Sequence, residues 1–291
     1  MQYSSRDATH SHSAPAERVA WKLNAERLVI LGWGRAVLMQ LAHPLVAAGV
    51  AEHSQFRASP LDRMRRFRRT LDAMLTFTYG STEDAQRVAN HINGIHDRVS
   101  GSLDTTTGAL QKGAVYSAHD PELLRWVQAT LLDSTLQTYE RFVGPLSADL
   151  QDRYCTEARS IGPLLGIPDE LMPQTRAELS AYIEEMLGTE TIAVGPTAQG
   201  LAANLLGLSH GVAGVLELPV MFSYRLATAG LLPASLRTAY RLRWSAAHQA
   251  MFEAGSRASR MIHPMVPSVI SQWSAARRHR RERTETLRRA S

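Results

Sequence analysis

Apolar residues recur every third or fourth position from Val19 to about Arg260, and proline, serine and aspartate stand where such stretches begin. That period gathers greasy side chains into one stripe along an α-helix and is incompatible with the twofold alternation of a strand. No strand–helix alternation occurs, which excludes a doubly wound α/β fold. The stretch Val19 to Leu31 leads through Gly32-Trp33-Gly34 into a second helix, Arg35 to about His53, with Leu38, Leu41, Leu45 and Val46 as its stripe. Pro44 should kink that helix because it lacks a backbone donor. Ser59-Pro60 opens a third helix reaching about Tyr79, and Ser81 to Asp84 caps a fourth that runs to about Ser100. Residues 102–120 are the least helical, with a short extended pair expected around Ala114 to Ser117. Asp120-Pro121 starts a helix to about Phe142, and further helices are expected at 147–165, 175–188, 197–209, 219–230, 234–239 and 241–260. The expected fold is all-α: a single compact multi-helix domain over 18–276, a disordered N-terminus over 1–17 and a basic C-terminal tail over 277–291.

The net charge of +5 belongs to that tail. Arg277 to Arg289 contains seven arginines and two glutamates, so the remainder is balanced, 25 basic against 25 acidic residues. A tail of this kind reads as a solvated end, with weak peripheral attraction to anionic lipid or nucleic acid as the lesser reading. The balanced body and the lack of a DNA-reading motif argue against specific nucleic-acid binding. The single cysteine, Cys155, cannot form a disulfide within the chain and suits a reducing, cytoplasmic compartment. With no identifiable base beside it, the thiol is expected to be buried and inert. Residues 1–17 are polar and carry no apolar core of a secretory signal. The longest uncharged run, Thr191 to Leu216, has the length of a bilayer span. Its five glycines, Pro196, Gln199, Asn204 and His210 point instead to an internal helix pair lining a greasy cavity.

Phosphate-binding loops, nucleophile elbows, His-Glu-x-x-His and paired Glu-x-x-His motifs are all absent. What remains is histidine and arginine concentrated in the first hundred residues. On the fourth helix Val88, Ile92, Ile95 and Val99 share a narrow face, with His96 on one edge and His91 on the other. Either histidine is a half-buried group bonded to neighbours, or one of them is the proximal ligand of a haem iron, for which neutral imidazole is suited. The third helix carries Arg63, Arg65, Arg66, Arg68 and Arg69, then Thr70. Arg66 and Thr70 are four apart and share a face with Arg63. A solvated basic face is one reading; guanidinium forks on haem propionates or buried carboxylates are the other.

The string Arg35 to Val50, with His43-Pro44 inside it and His53-Ser54-Gln55-Phe56 after it, resembles the N-terminal hallmark of the mpaB/latex-clearing oxygenase family. So do Arg66-x-x-x-Thr70, Ile95-His96-x-x-Val99, and Tyr116-x-Ala118-x-Asp120-Pro121-x-x-Leu124-x-Trp126-Val127. Tyr139-Glu140, Tyr154-x-x-Glu157 and Leu164-Leu165-Gly166-Ile167-Pro168 extend the resemblance, which covers about residues 20 to 275. It implies a helical fold holding a b-type haem, with His96 as axial iron ligand and His43 close to the cofactor. It also implies that Arg66, Arg69 and Thr70 anchor propionates or hydrogen-bond bound dioxygen. In the rubber-cleaving branch a lysine can occupy the opposite haem face. The matching position here is Arg69, whose permanent charge prevents it from serving as a displaceable neutral ligand. Ser100 stands where members often have a second arginine, and Gln128 where histidine is expected. The implied activity is haem-dependent oxidative attack by dioxygen on an alkene of an isoprenoid or other hydrophobic, lipid-like substrate. A non-catalytic haem sensor or carrier, and a metal-free helical lipid binder, remain as alternatives.

Overall fold

The computed structural model describes residues 18–53, 60–207 and 219–290, and these form an all-α fold with one small hairpin. In chain order the elements are α1 (Val19–Leu23), a 3-10 turn (Arg27–Gly32), α2 (Trp33–Leu41), α3 (Pro44–His53), α4 (Pro60–Tyr79), α5 (Thr82–His96), β1 (Ser100–Ser102) and β2 (Val115–Ser117). There follow α6 (Pro121–Phe142), α7 (Ala148–Ala158), two 3-10 turns, α8 (Arg176–Gly188), α9 (Pro196–Leu205), α10 (Pro219–Leu231), α11 (Ala234–Ala239), α12 (Ala246–Ile262), a 3-10 turn (His263–Met265), α13 (Ser268–Ser271) and α14 (Ser274–Ala290). Among the described residues no single helix is long and apolar enough to cross a membrane.

Helix α6 is the axis. Asp120 caps it by accepting from the Glu122 amide, and Pro121 occupies the first turn, where a missing donor costs nothing. Leu123, Trp126, Ala129, Thr130, Leu132, Leu136 and Tyr139 are buried on it, so most of its circumference is covered by other helices. Trp126 is fully buried and its indole N–H donates to the Met39 carbonyl, joining α6 to α2. Gly32 makes the close approach possible, since a Cβ there would lie 2.1 Å from Thr138 Oγ1. Burying each large side chain of this seam contributes about 2–3 kcal/mol.

One buried ionic group fixes three helices. Arg35 of α2 and Asp133 of α6, each 4% exposed, approach to 2.5 Å. Arg176, at the start of α8, reaches the other Asp133 oxygen at 2.5 Å. Arg35 also donates to Ser134 Oγ and to the Leu231 carbonyl, so its guanidinium is nearly saturated.

Several expected boundaries shift. The single helix Val19 to Leu31 is two pieces, because Glu26 leaves the helical path to pair with Gln272. Residues 35–53 are not one kinked helix: the axis turns by 106° between the segments Arg27–Leu41 and Pro44–His53, and Pro44 begins α3 afresh. The fourth helix stops at His96 instead of Ser100, because Ser100 pairs with Ser117 in the expected hairpin. Residues 159–165 and 241–245 are not helical in the way expected, and α9 ends at Leu205. The remainder of the uncharged run, 208–216, lies outside the described residues, as do residues 1–17. The basic C-terminal segment is helical. His279 packs on Trp21 with ring centroids 4.3 Å apart and lies 5.5 Å from Tyr79, laying α14 across α1 and α4.

Candidate functional site

Of the imidazoles singled out from the sequence, His43 is buried and His96 half-buried, whereas His91 is exposed. His43 occupies the corner between α2 and α3, and its carbonyl accepts the Ala47 amide at the first turn of α3. The ring is buried, and its Nδ1 has no hydrogen-bond partner among the described residues. Burial pushes its pKa down to about 4 against a smaller opposing pull from Asp120, so the ring is neutral at physiological pH.

His96 ends α5. The capping box of Ser81 and Asp84 fixes the start of that helix, and Asn93 donates to the Leu164 carbonyl near its end. The helix presents Ala89, Ile92, Asn93 and His96 inward, whereas Ile95 and His91 are exposed. The apolar stripe Val88–Ile92–Ile95–Val99 is therefore rotated from the face the periodicity suggests, which takes His96 inward and His91 out. His96 Nδ1 is buried without a hydrogen-bond partner among the described residues. Burial lowers its pKa, helped by His119 and opposed by Asp97, and so favours the neutral ring.

His119 and Asp97 complete the group, and sequence reasoning passed over both. The two carry a legible signal, since Asp97 follows His96 and His119 precedes the Asp120-Pro121 helix start. The His119 ring stands edge-on to His96 with centroids 5.9 Å apart, and its Nε2 lies 2.8 Å from Asp97 Oδ1. A carboxylate on one imidazole nitrogen fixes the ring's orientation and tautomer. Tyr116 of β2 donates to Glu52 at 2.6 Å, tying the hairpin to α3.

The arginine helix contributes differently. Arg65, Phe67, Arg68, Arg69 and Thr70 of α4 are all exposed. Arg66 lies on α4, but its side chain falls outside the described residues, as does that of Arg63. Other residues of the recognisable motifs act as pins: Glu157 accepts the Val19 and Ala20 amides at the N-terminus of α1, and Tyr154 donates to Asn24. Cys155 is buried and its thiol pKa is pushed up to about 11 by that burial, which makes it a poor nucleophile.

A cleft of about 100 Å³ lies between α3, the hairpin loop and the start of α9, lined by Ala47, Ala48, Ala51, Thr105, Thr107 and Ala198 among others. None of the histidines lines it. Among the described residues no group of three or more His, Cys, Asp or Glu side chains forms a cage for a bare metal ion. A haem iron makes no such demand, because the porphyrin supplies four nitrogens and the protein only one or two axial ligands. The donor set fits that group: His96 offers a neutral, half-buried imidazole with an unpartnered nitrogen, and α4 offers exposed guanidinium groups of the kind that bind carboxylates.

The family model for the ER-bound oxygenase mpaB/B'/rubber oxygenase catalytic domain matches residues 21–261. Uncharacterised proteins of Mycobacterium bovis and Mycobacterium tuberculosis are each 28% identical over 232 residues, covering 75% of this chain and 82% of the relative. No solved structure matches.

Proposed function

This chain belongs to the ER-bound oxygenase mpaB/B' and rubber oxygenase catalytic-domain family, and on that premise we propose that it is a haem b-dependent oxygenase acting with dioxygen on an alkene of a hydrophobic, isoprenoid or lipid-like substrate. The observation that carries the reading is His96, whose neutral imidazole ends a capped helix with a buried nitrogen unpartnered. Haem, when bound, supplies the iron centre that activates dioxygen. His96 would hold the iron; its lone pair would be available because burial favours the neutral ring. His119, oriented by Asp97, stands edge-on against the His96 ring and would fix its position. His43 contributes a second neutral imidazole whose burial keeps water from the α2–α3 corner. Arg66, Arg69 and Thr70 of α4 would be the donors for the cofactor's carboxylates. Arg69 is a fixed cation, so it anchors charge and does not act as a displaceable ligand.

A metal-free helical lipid binder is a second reading, favoured by one observation: the alanine-lined cleft contains none of the histidines. Oxygen uptake separates the two. Haem-supplied, reduced protein mixed with a polyunsaturated lipid is expected to consume dioxygen, and His96→Ala is expected to abolish the uptake. A haem-loaded protein that leaves dioxygen untouched is a sensor or carrier, and a protein that takes up no haemin is the lipid binder.

A further inference from the structure

The segment joining α12 to α14 carries the densest run of exposed large apolar side chains among the described residues. Met261 is 76% exposed, Ile262 57%, Met265 81%, Val269 60% and Ile270 59%, all within ten residues. Isolated exposed apolar residues are ordinary, but a run of them marks a surface built to meet something. These are convex tips and not the wall of a groove, since the intervening Pro264, Pro267 and Ser268 are exposed as well.

The segment is held rigidly from below. Glu26, buried, accepts from Gln272 Nε2 at 2.7 Å and lies 2.8 Å from His263 Nε2. Arg277 donates to the carbonyls of Ser268, Val269 and Gln272, which closes the end of α13 onto the start of α14. The apolar tips are thus pinned outward by polar groups at both ends.

Charge flanks the tips on both sides. Between Glu253 and Glu282 there is no acidic residue, and six arginines: 257, 260, 277, 278, 280 and 281. Arg257, Arg260, Arg278, Arg280 and Arg281 are exposed. On α14 the side bearing Ala276, His279 and Arg283 is laid on Trp21 and Tyr79, which leaves Arg278 and Arg281 on the opposite side. Arg257 is paired with Glu253 at 3.1 Å, and the exposed Arg278 and Arg281 follow the apolar run on α14. Apolar tips followed in the chain by such cations match an anionic bilayer, whose headgroups attract the arginines while its acyl boundary accepts the side chains.

We infer that residues 257–281 form a docking face for the surface of an anionic lipid bilayer, with Met261, Met265, Val269 and Ile270 inserting and Arg278 and Arg281 pairing with lipid headgroups. This face does not depend on the oxygenase reading.

The test is co-sedimentation of the full chain with vesicles of phosphatidylcholine alone and of phosphatidylcholine with phosphatidylserine. Binding to the anionic vesicles is expected, weakening steeply with added salt, and binding to the neutral ones is not. Each arginine near such a surface is worth about fivefold in partitioning, so Arg278→Glu/Arg281→Glu is expected to lower it at least about twentyfold. Met265→Glu/Ile270→Glu is expected to lower it more than tenfold with an unchanged melting curve, because both side chains touch little of the protein. Absence of wild-type binding to phosphatidylserine vesicles, or equal binding by both variants, overturns the inference. So does a wild-type dimer in size-exclusion chromatography that Met265→Glu splits, which would make the face a contact between two copies. The salt dependence of the wild type decides the matter even where a variant fails to fold.

Discussion

Removing Asp133 should be among the most damaging single substitutions in this fold. Asp133 lies between two guanidinium groups, 2.5 Å from each, with Arg35 as buried as itself. At an effective dielectric constant of about 20, each pair at this range gains about 4 kcal/mol of attraction, most of which offsets the cost of taking the ions out of water. Burial raises the Asp133 pKa, yet the two arginine charges outweigh it and the net shift is downward. Asp133→Asn removes the anion and leaves Arg35 with only Ser134 Oγ and the Leu231 carbonyl. An uncompensated buried cation costs about 3–5 kcal/mol, a large part of the roughly 5–15 kcal/mol typical of a domain. Arg35→Met removes the cation too, so Arg35→Met/Asp133→Asn should cost less than the two single substitutions added together. Urea denaturation followed by far-UV circular dichroism measures all four proteins, compared at equal m-values. A cost below about 1 kcal/mol for Asp133→Asn, or simple additivity in the cycle, would refute the triad as the tie between α2, α6 and α8.

Other consequences can be checked in the same assay. The folded pKa of His43 lies near 4 against 6.5 for the free side chain, so the unfolded chain binds the proton first as pH falls. Its contribution is complete above about pH 6.5 and declines towards pH 4; between pH 7 and 5 the loss is about 1.8 kcal/mol, and His43→Gln should flatten that slope while leaving the steeper loss from carboxylates below pH 4. A Cβ added at Gly34 would fall 2.1 Å from Thr228 Oγ1 and 2.8 Å from the Tyr224 hydroxyl; Gly34→Ala should therefore destabilise by about 1–3 kcal/mol, and Thr228→Ala should restore most of that. Tyr240 is buried and its hydroxyl donates to the Leu38 carbonyl at 2.6 Å. Tyr240→Phe removes that bond and leaves the carbonyl with the Ala42 amide alone, which should cost about 1 kcal/mol, measured by the shift in urea midpoint.

The all-α class was legible because helix-starting signals are strong and local. Ser81 with Asp84, Asp120 with Pro121 and Ser59 with Pro60 mark helices that the structure contains. The misplaced boundaries share a cause in distant partners. Glu26 breaks the first helix for the sake of Gln272, 246 residues away, and Ser100 leaves α5 to pair with Ser117. Pro44 signalled a disturbance of its helix, but the size of the turn is set by α3 packing against the hairpin and α9. At the site, spacing alone could not choose between His91 and His96, since both flank the apolar stripe. The choice follows from α5 packing through Asn93 onto Leu164, which rotates His96 inward. The His119–Asp97 pair joins residues 22 apart through the hairpin and has no periodic signature. The arginines of α4 were visible as a cluster, but which of them meets a ligand depends on surroundings that periodicity does not encode.

The central claim, that His96 binds haem iron in this member of the oxygenase family, is tested most directly by the absorption spectrum of protein produced with haem supply, wild type beside His96→Ala. An intense Soret band is expected in the wild type and its loss or displacement in the variant, while His91→Ala leaves it unchanged. A wild type without that band, or a variant whose band is identical to it, would show that His96 does not hold the iron.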